Sequence, residues 1–234
     1  MLTNNEIKAI RSLKDKKYRD QTGLFVVEGE KMVREALASG MEVTAVYRVE
    51  DIGEAAMSKI SQLSTPSPVL ATVRRPLPGK SDIARGLYLG LDAVRDPGNM
   101  GTIIRMADWF GVSVVFCSPD CVDAFNPKVI QATMGSIFRV KVVYCDLPAL
   151  CRRFKESGMS VYGTFLDGSC IYGKDLKDEG LVVMGNESNG IGPEVSAETD
   201  VRLHIPSFNG SGAESLNVAV ATAVTLSEFR RRFI

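Results

Sequence analysis

The chain has 234 residues, of which 45% are hydrophobic and 24% are charged, and its basic and acidic side chains balance. This composition is that of a globular protein and excludes a disordered, collagenous or coiled-coil chain. No apolar run approaches the roughly 18 residues of a membrane span, and the amino terminus lacks the features of a signal peptide.

The first 76 residues predict a small α/β domain. Apolar residues at helical spacing predict a helix over Ile7–Leu13, after which strands and helices alternate. The predicted strands cover Leu24–Val27, Val43–Val46 and Val69–Val73, and the predicted helices cover Lys31–Ala38 and Ile52–Leu63. The stretch that follows, Arg74–Lys80, contains two prolines and a glycine, which is typical of a linker.

The remaining residues predict a larger α/β domain, because apolar strand-like runs alternate with helix-like segments and imply a mostly parallel sheet covered on both faces. The predicted strands cover Leu87–Leu91, Val112–Cys117, Val140–Tyr144, Met159–Phe165, Leu181–Met184 and Val201–Ile205. The predicted helices cover Gly101–Phe110, Pro127–Met134 and Leu147–Ser157. The last segment, Leu216–Phe233, contains a strand-like Val-Ala-Val-Ala run, but its length and basic end favour a helix.

Positive charge is concentrated near the amino terminus. Residues 1–80 carry thirteen Lys and Arg side chains against ten Asp and Glu. Six of these cations lie close together in the sequence: Lys8, Arg11, Lys14, Lys16, Lys17 and Arg19. Such a patch suits the phosphates of a nucleic acid, because a polyanion responds to local charge more than to net charge. The alternative at this point is a solvated helix face.

The five cysteines and the single histidine predict neither a metal site nor a catalytic triad. No Cys-x-x-Cys pair occurs, and three of the cysteines lie in apolar runs, which indicates reduced, packed thiols in a cytoplasmic protein. His204 lies in a strand-like run, where a packed or hydrogen-bonded ring is expected. No Gly-x-Ser-x-Gly elbow accompanies it.

Three segments that follow predicted strands contain candidate functional residues, because doubly wound sheets bind ligands beyond the carboxyl ends of their strands. The first is Leu91–Arg105, which contains Asp-Pro-Gly-Asn-Met-Gly-x-x-x-Arg at 96–105. Its Arg105 lies in an otherwise apolar helix. The guanidinium therefore either pairs with Asp92 or Asp108 or belongs to a functional site.

The other two segments are rich in glycine. The second, Val-Met-Gly-Asn-Glu-x-x-Gly-Ile at 183–191, permits close backbone approach to a ligand but lacks the Gly-x-Gly-x-x-Gly dinucleotide fingerprint. Its Glu187 taken alone also fits a surface turn. The third runs from Ile-Pro at 205–206 to Glu-Ser-Leu-Asn-Val-Ala-Val-Ala at 214–221, where Ser215 suits a helix cap.

In this order, the three segments resemble the signature motifs of the SpoU (TrmH-like) RNA ribose 2′-O-methyltransferases of the SPOUT superfamily. The resemblance covers about residues 86–234. Residues 1–76 more loosely resemble the L30e-like RNA-binding domain of that family, through Lys-Asp-Lys-Lys-Tyr-Arg at 14–19 and Gly-Leu-Phe-Val-Val-Glu-Gly at 23–29. The domains expected are thus 1–76 and 86–234, joined by a linker at 77–85.

The resemblance implies a fold and a reaction. The larger domain is expected to be an α/β methyltransferase domain with a mostly parallel sheet and a trefoil knot, which the general rules of chain topology would not suggest. Its loops are expected to bind S-adenosylmethionine, the protein to form a homodimer, and the substrate to be ribosomal or transfer RNA. The basic stretch then becomes a phosphate-binding surface that supplies affinity without base readout.

The motifs also assign roles to single positions. Those matching the family's catalytic and substrate-positioning residues are Asn99, Arg105, Glu187, Ser215 and Asn217. Those expected to line the cofactor pocket, largely through backbone groups, are Thr164, Gly185, Ile205 and Leu216. Because a guanidinium is effectively always protonated, Arg105 suits orienting the hydroxyl and binding the adjacent phosphate better than acting as a base. Glu187 and Asn99 would then hold the arginine or the backbone in place.

Two other functions are open to this sequence. A catalytically inactive RNA-binding homodimer would keep the fold, but it need not keep Asn99, Arg105, Glu187 and Asn217 together. A nucleotide-dependent oxidoreductase on a Rossmann fold would need the glycine fingerprint that the second segment lacks. The residues favour the methyltransferase over both alternatives.

Overall fold

The computed structural model describes residues 2–77, 83–209, 214–231 and 233, and the chain divides into two compact units. The N-terminal unit comprises residues 1–78 and 123–139, and the parallel-sheet unit comprises residues 79–122 and 140–234. Residues 78–82 of the predicted linker lie outside the described residues. The sequence predicts a single boundary at that linker, which places residues 123–139 in the second domain. The structure groups these residues with the N-terminal unit instead. The boundaries 1–76 and 86–234 stay a prediction.

The N-terminal unit contains a three-stranded antiparallel sheet in the order β1-β3-β2. Its strands are β1 (Leu24–Glu28), β2 (Val43–Arg48) and β3 (Val69–Arg74). Its first five helices are α1 (Asn4–Ser12), α2 (Lys16–Thr22), α3 (Glu30–Ala38), α4 (Val49–Ile52) and α5 (Glu54–Ile60). The strands and the helix α3 agree with the sequence prediction to within a residue or two.

The predicted helix Ile52–Leu63 is divided by a glycine. Gly53 has a φ of +81°, a value that glycine adopts easily, so α4 ends there and α5 begins. The short helix α2 was not predicted separately, because its sequence is polar throughout and gives no apolar stripe.

The parallel-sheet unit contains six strands in the order β6-β5-β4-β8-β7-β9, and every pairing in this sheet is parallel. The strands are β4 (Leu87–Leu91), β5 (Val114–Cys117), β6 (Lys141–Tyr144), β7 (Val161–Cys170), β8 (Gly180–Met184) and β9 (Val201–His204). The predicted parallel α/β sheet is therefore confirmed. The strand β7 extends five residues beyond its predicted end at Phe165. The trefoil knot stays a prediction.

The remaining helices begin at polar caps or at prolines, as helix starts usually do. They are α6 (Pro97–Trp109), α7 (Pro127–Thr133, in the N-terminal unit), α8 (Leu147–Glu156), α9 (Pro193–Ala197) and α10 (Val218–Arg231). The last segment, for which the sequence allowed a strand or a helix, forms the helix α10. Single 3₁₀ turns cover Ser136–Phe138 and Ile171–Gly173.

The cysteines differ in burial: Cys117, Cys121 and Cys151 are buried, Cys145 is half-buried and Cys170 is exposed. All five cysteines are free, and burial raises the pKa of Cys145 to about 11 and that of Cys151 to about 12, so both stay protonated at neutral pH. The His204 Nδ1 lies 3.2 Å from the Phe165 carbonyl oxygen.

In the part of the chain that the structure describes, no helix has the length and hydropathy to cross a membrane, and no cluster of His, Cys, Asp or Glu side chains could hold a metal ion.

Candidate active site

The three motif segments leave the sheet at one edge, because the carboxyl ends of parallel strands lie together. The first segment follows β4, the second follows its hydrogen-bonded neighbour β8, and the third follows β9. Where β4 and β8 end, the Asp92 N–H donates to the Met184 carbonyl oxygen at 2.9 Å. This bond continues the pairing of the two strands into the segment that follows β4.

One side chain from each segment enters a continuous hydrogen-bonded chain. Asn99 lies in the first turn of α6, where the Asp96 carboxylate accepts its backbone N–H at 2.7 Å. The Asn99 Nδ2 donates to Glu187 Oε1 at 2.9 Å, and the Asn99 Oδ1 accepts from Asn217 Nδ2 at 2.8 Å. The structure thus joins three of the five predicted catalytic positions, from sequence separations of 88 and 118 residues.

The orientation of Asn217 is fixed by the start of α10. Its Oδ1 accepts from the N–H groups of Ala219 at 2.9 Å and Val220 at 3.3 Å, which satisfies donors that a helix start leaves free. With the oxygen occupied, the Nδ2 group is the one that faces Asn99. Asn217 therefore caps the start of α10. The sequence predicts this role for Ser215, which lies two residues earlier and is exposed.

Arg105 does not join this chain. It lies six residues beyond Asn99 on α6, about 9 Å further along the axis, and its side chain is exposed. Within the described residues its guanidinium pairs with neither Asp92 nor Asp108. Glu187 bonds to Asn99, and Asn99 bonds in turn to Asn217, rather than to Arg105. An exposed cation without an internal partner is available to a bound anion.

Three of the predicted cofactor-binding positions lie on or directly after three adjacent strands. Gly185 directly follows β8, Thr164 lies on β7, and Ile205 directly follows β9. Only glycine fits at 185, because a Cβ there would lie 2.1 Å from the Gly190 carbonyl carbon. Thr164 Oγ1 donates to the Val183 carbonyl oxygen at 3.4 Å, a long bond that leaves the hydroxyl half-exposed.

Two of these positions offer groups suited to an adenosine. Ile205 lies where β9 ends, and no backbone hydrogen bond joins Leu216 to the other residues that the structure describes. The Leu216 side chain is 50% exposed. Free backbone donors and acceptors beside apolar side chains fit a purine, whose ring is apolar and whose edge is polar.

The basic stretch separates into five surface cations and one buried one. Arg19 is only 1% exposed; its Nε and Nη2 donate to Asp123 Oδ2 at 3.0 and 2.7 Å, and its Nη1 donates to the carbonyl oxygens of Leu13 and Lys14. A guanidinium that is buried and bonded in this way cannot contact RNA. The exposed cations are Lys8, Arg11, Lys14, Lys16 and Lys17.

Two residues with well-defined contacts were missed by sequence reasoning. Asn186 bonds to the first and second segments, and its place beside Glu187 in the motif was the available signal. Asp123 pairs with Arg19 from 104 residues away, and no local pattern identifies it.

Comparison with protein-family models decides the family. The model described as the SpoU rRNA Methylase family matches residues 86–227, and the model described as the MRM3-like substrate binding domain matches residues 4–56. The chain belongs to the SpoU rRNA methylase family. The two matched ranges lie on either side of the predicted linker.

Individual relatives of this SpoU protein resemble it over almost its whole length. It is 34% identical to the 23S rRNA (guanosine(2553)-2′-O)-methyltransferase RlmP of Bacillus subtilis, over 97% of this chain and 96% of that one. A solved TrmH-family structure from Porphyromonas gingivalis matches with a TM-score of 0.90 and 39% identity, over 99% of each chain. The AdoMet-bound rRNA methyltransferase from Sinorhizobium meliloti matches with a TM-score of 0.88 and 32% identity, over 100% of this chain and 97% of that one. The family recognised in the sequence and the α/β fold class are both confirmed.

Proposed function

We propose that this SpoU protein is an S-adenosylmethionine-dependent methyltransferase that modifies a ribose 2′-hydroxyl in ribosomal RNA. The observation that carries the proposal is the hydrogen-bonded chain Glu187–Asn99–Asn217, which joins the three motif segments at one edge of the sheet. The ribosomal substrate of the RlmP relative supports the choice of RNA. The joined motif residues argue against a catalytically inactive RNA-binding homodimer.

The residues of this chain would position the reaction rather than activate the methyl donor. S-adenosylmethionine, when bound, supplies an electrophilic methyl group, so the protein must align a ribose hydroxyl and let its proton leave. Alignment alone can lower a barrier by about 7–11 kcal/mol. The Arg105 guanidinium, which is exposed and has no partner within the described residues, suits an adjacent phosphate and the attacking hydroxyl, and the Glu187–Asn99–Asn217 chain would hold the three motif segments together.

The cofactor would be held by Thr164, Gly185, Ile205 and Leu216. Calorimetric titration tests this together with a tritium methyl-transfer assay on ribosomal RNA. We expect S-adenosylmethionine to bind, NAD not to bind, and labelled methyl groups to enter ribose. Tight NAD binding without S-adenosylmethionine binding would instead indicate an oxidoreductase, and cofactor binding without methyl transfer would indicate an inactive RNA-binding protein.

The N-terminal unit would supply RNA affinity through its five exposed cations. Replacing Lys14 and Lys17 by Gln should reduce the slope of log affinity against log salt by roughly 1.4, at about 0.7 for each lost phosphate contact on a single strand. Replacing Arg34 and Lys59, which are exposed elsewhere in this unit, should leave the slope unchanged. Equal slopes for both double variants would mean that the basic stretch is only a solvated face.

The protein would act as a homodimer in the cytoplasm. Trp109, at the end of α6, is 83% exposed, and Val220 on α10 is 50% exposed, so two helices that pack together both present apolar surface. Light scattering should give twice the chain mass of 25.4 kDa, and Trp109→Glu should give the monomer. A monomeric wild type would refute the dimer.

A further inference from the structure

Asn186, which directly follows Gly185 after β8, uses every hydrogen-bonding capacity of its side chain. The Nδ2 donates to the Ala93 carbonyl oxygen at 2.7 Å and to Glu187 Oε2 at 3.3 Å. The Oδ1 accepts from the N–H groups of Ser188 at 2.9 Å and Asn189 at 3.1 Å. An amide has two donor hydrogens and two acceptor lone pairs, so this one is saturated and can take only one orientation.

The Ala93 contact secures an unusual backbone conformation in the first motif segment. Ala93 has a φ of +54°, which a residue with a Cβ rarely adopts. Its N–H donates to Ser118 Oγ at 2.8 Å, and its carbonyl oxygen accepts from Asn186. The peptide groups on both sides of the turn are therefore held by side chains, and this turn leads the chain from β4 towards the start of α6 and Asn99.

The Glu187 contact completes the support of the carboxylate. Glu187 Oε1 accepts from Asn99, and Glu187 Oε2 accepts from Asn186, so an amide group holds each oxygen. Asn99 comes from the first segment, whereas Asn186 precedes Glu187 in the second. Removing Asn186 would leave the carboxylate held from one side only and the Ala93 carbonyl oxygen without this partner.

We propose that Asn186 is a positioning residue for methyl transfer, which locks the Ala93 turn and the Glu187 carboxylate into one hydrogen-bonded unit. This inference rests on the proposed function, because it acts through Glu187. It assigns Asn186 no contact with the cofactor or the RNA.

The test uses the full chain and the substitution Asn186→Asp. Aspartate keeps the shape and the oxygen that accepts from Ser188 and Asn189, but it removes both donated bonds and places a negative charge beside Glu187. We expect kcat to fall roughly 10- to 100-fold, the range for losing a hydrogen bond to a charged group. The melting temperature should fall by a few degrees, because two hydrogen bonds to the Ala93 turn and to Glu187 are lost, whereas the Kd for S-adenosylmethionine should stay close to that of the wild type.

Two further variants distinguish positioning from a general effect. Asn189→Asp puts the same charge on an exposed side chain of the same loop and should leave kcat unchanged. The double variant Asn186→Asp/Glu187→Gln should be no slower than Glu187→Gln alone, because a residue acting through Glu187 has nothing further to lose. A normal kcat for Asn186→Asp, an equal loss for Asn189→Asp, or losses that multiply in the double variant would each overturn the inference. An inactive wild type would overturn the proposed function itself.

Discussion

Arg105→Ala is expected to lower the rate of methyl transfer by about 10²- to 10³-fold, the range for removing one group that stabilises a transition state. The guanidinium is exposed and has no partner within the described residues, so its removal should cost no internal contact. The affinity for S-adenosylmethionine should therefore remain close to that of the wild type. Single-turnover transfer of a tritiated methyl group and calorimetry measure the two effects separately.

Two comparisons sharpen the Arg105 experiment. Arg105→Lys should also fail, because a point charge cannot reproduce the planar fork that binds a phosphate with two parallel bonds. Arg85→Ala removes an exposed arginine just before β4, at the opposite edge of the sheet, and should be neutral. Near-normal turnover of Arg105→Lys would refute the bidentate argument, and near-normal turnover of Arg105→Ala would refute the role of Arg105 altogether.

Asp123→Ala is expected to destabilise the protein by about 3–5 kcal/mol, because it leaves the buried Arg19 guanidinium without a counter-charge. Both residues belong to the N-terminal unit, where Arg19 also donates to the carbonyl oxygens between α1 and α2. Urea unfolding measures the loss. The double variant Arg19→Met/Asp123→Leu should be more stable than Asp123→Ala, since it removes both charges and keeps the volume filled.

The control for the Asp123 experiment is an exposed ion pair of the same unit. Arg74 Nε lies 2.7 Å from Glu42 Oε2, and this pairing lowers the pKa of Glu42, but both side chains are about half-exposed. Solvent and salt weaken such pairs, so Glu42→Gln should have no measurable effect on stability. If Asp123→Ala were as mild as Glu42→Gln, the buried pair would not be a principal support of the N-terminal unit.

Sequence by itself determined the fold class, the family and most elements of this protein. Apolar strands that alternate with helices predict a parallel sheet, since such strands must be buried on both faces. The motifs place Asn99, Glu187 and Asn217 directly after strands or at helix starts, where the carboxyl edge of the sheet must bring them near one another. Local patterns failed where local signals were weak, as in the polar helix α2 and at Gly53, which divides the predicted helix Ile52–Leu63.

Only the tertiary structure decided which polar groups pair. Arg19 belongs by sequence to a basic stretch with five exposed cations, yet Asp123 from 104 residues away turns it into a buried structural residue. The same holds for Asn186, whose amide is saturated by Ala93 from 93 residues away and by its own loop. The physical reason is that helix and strand periods record which face of a segment is buried. A hydrogen bond or ion pair between distant segments instead depends on distances and directions that arise only when the chain is folded.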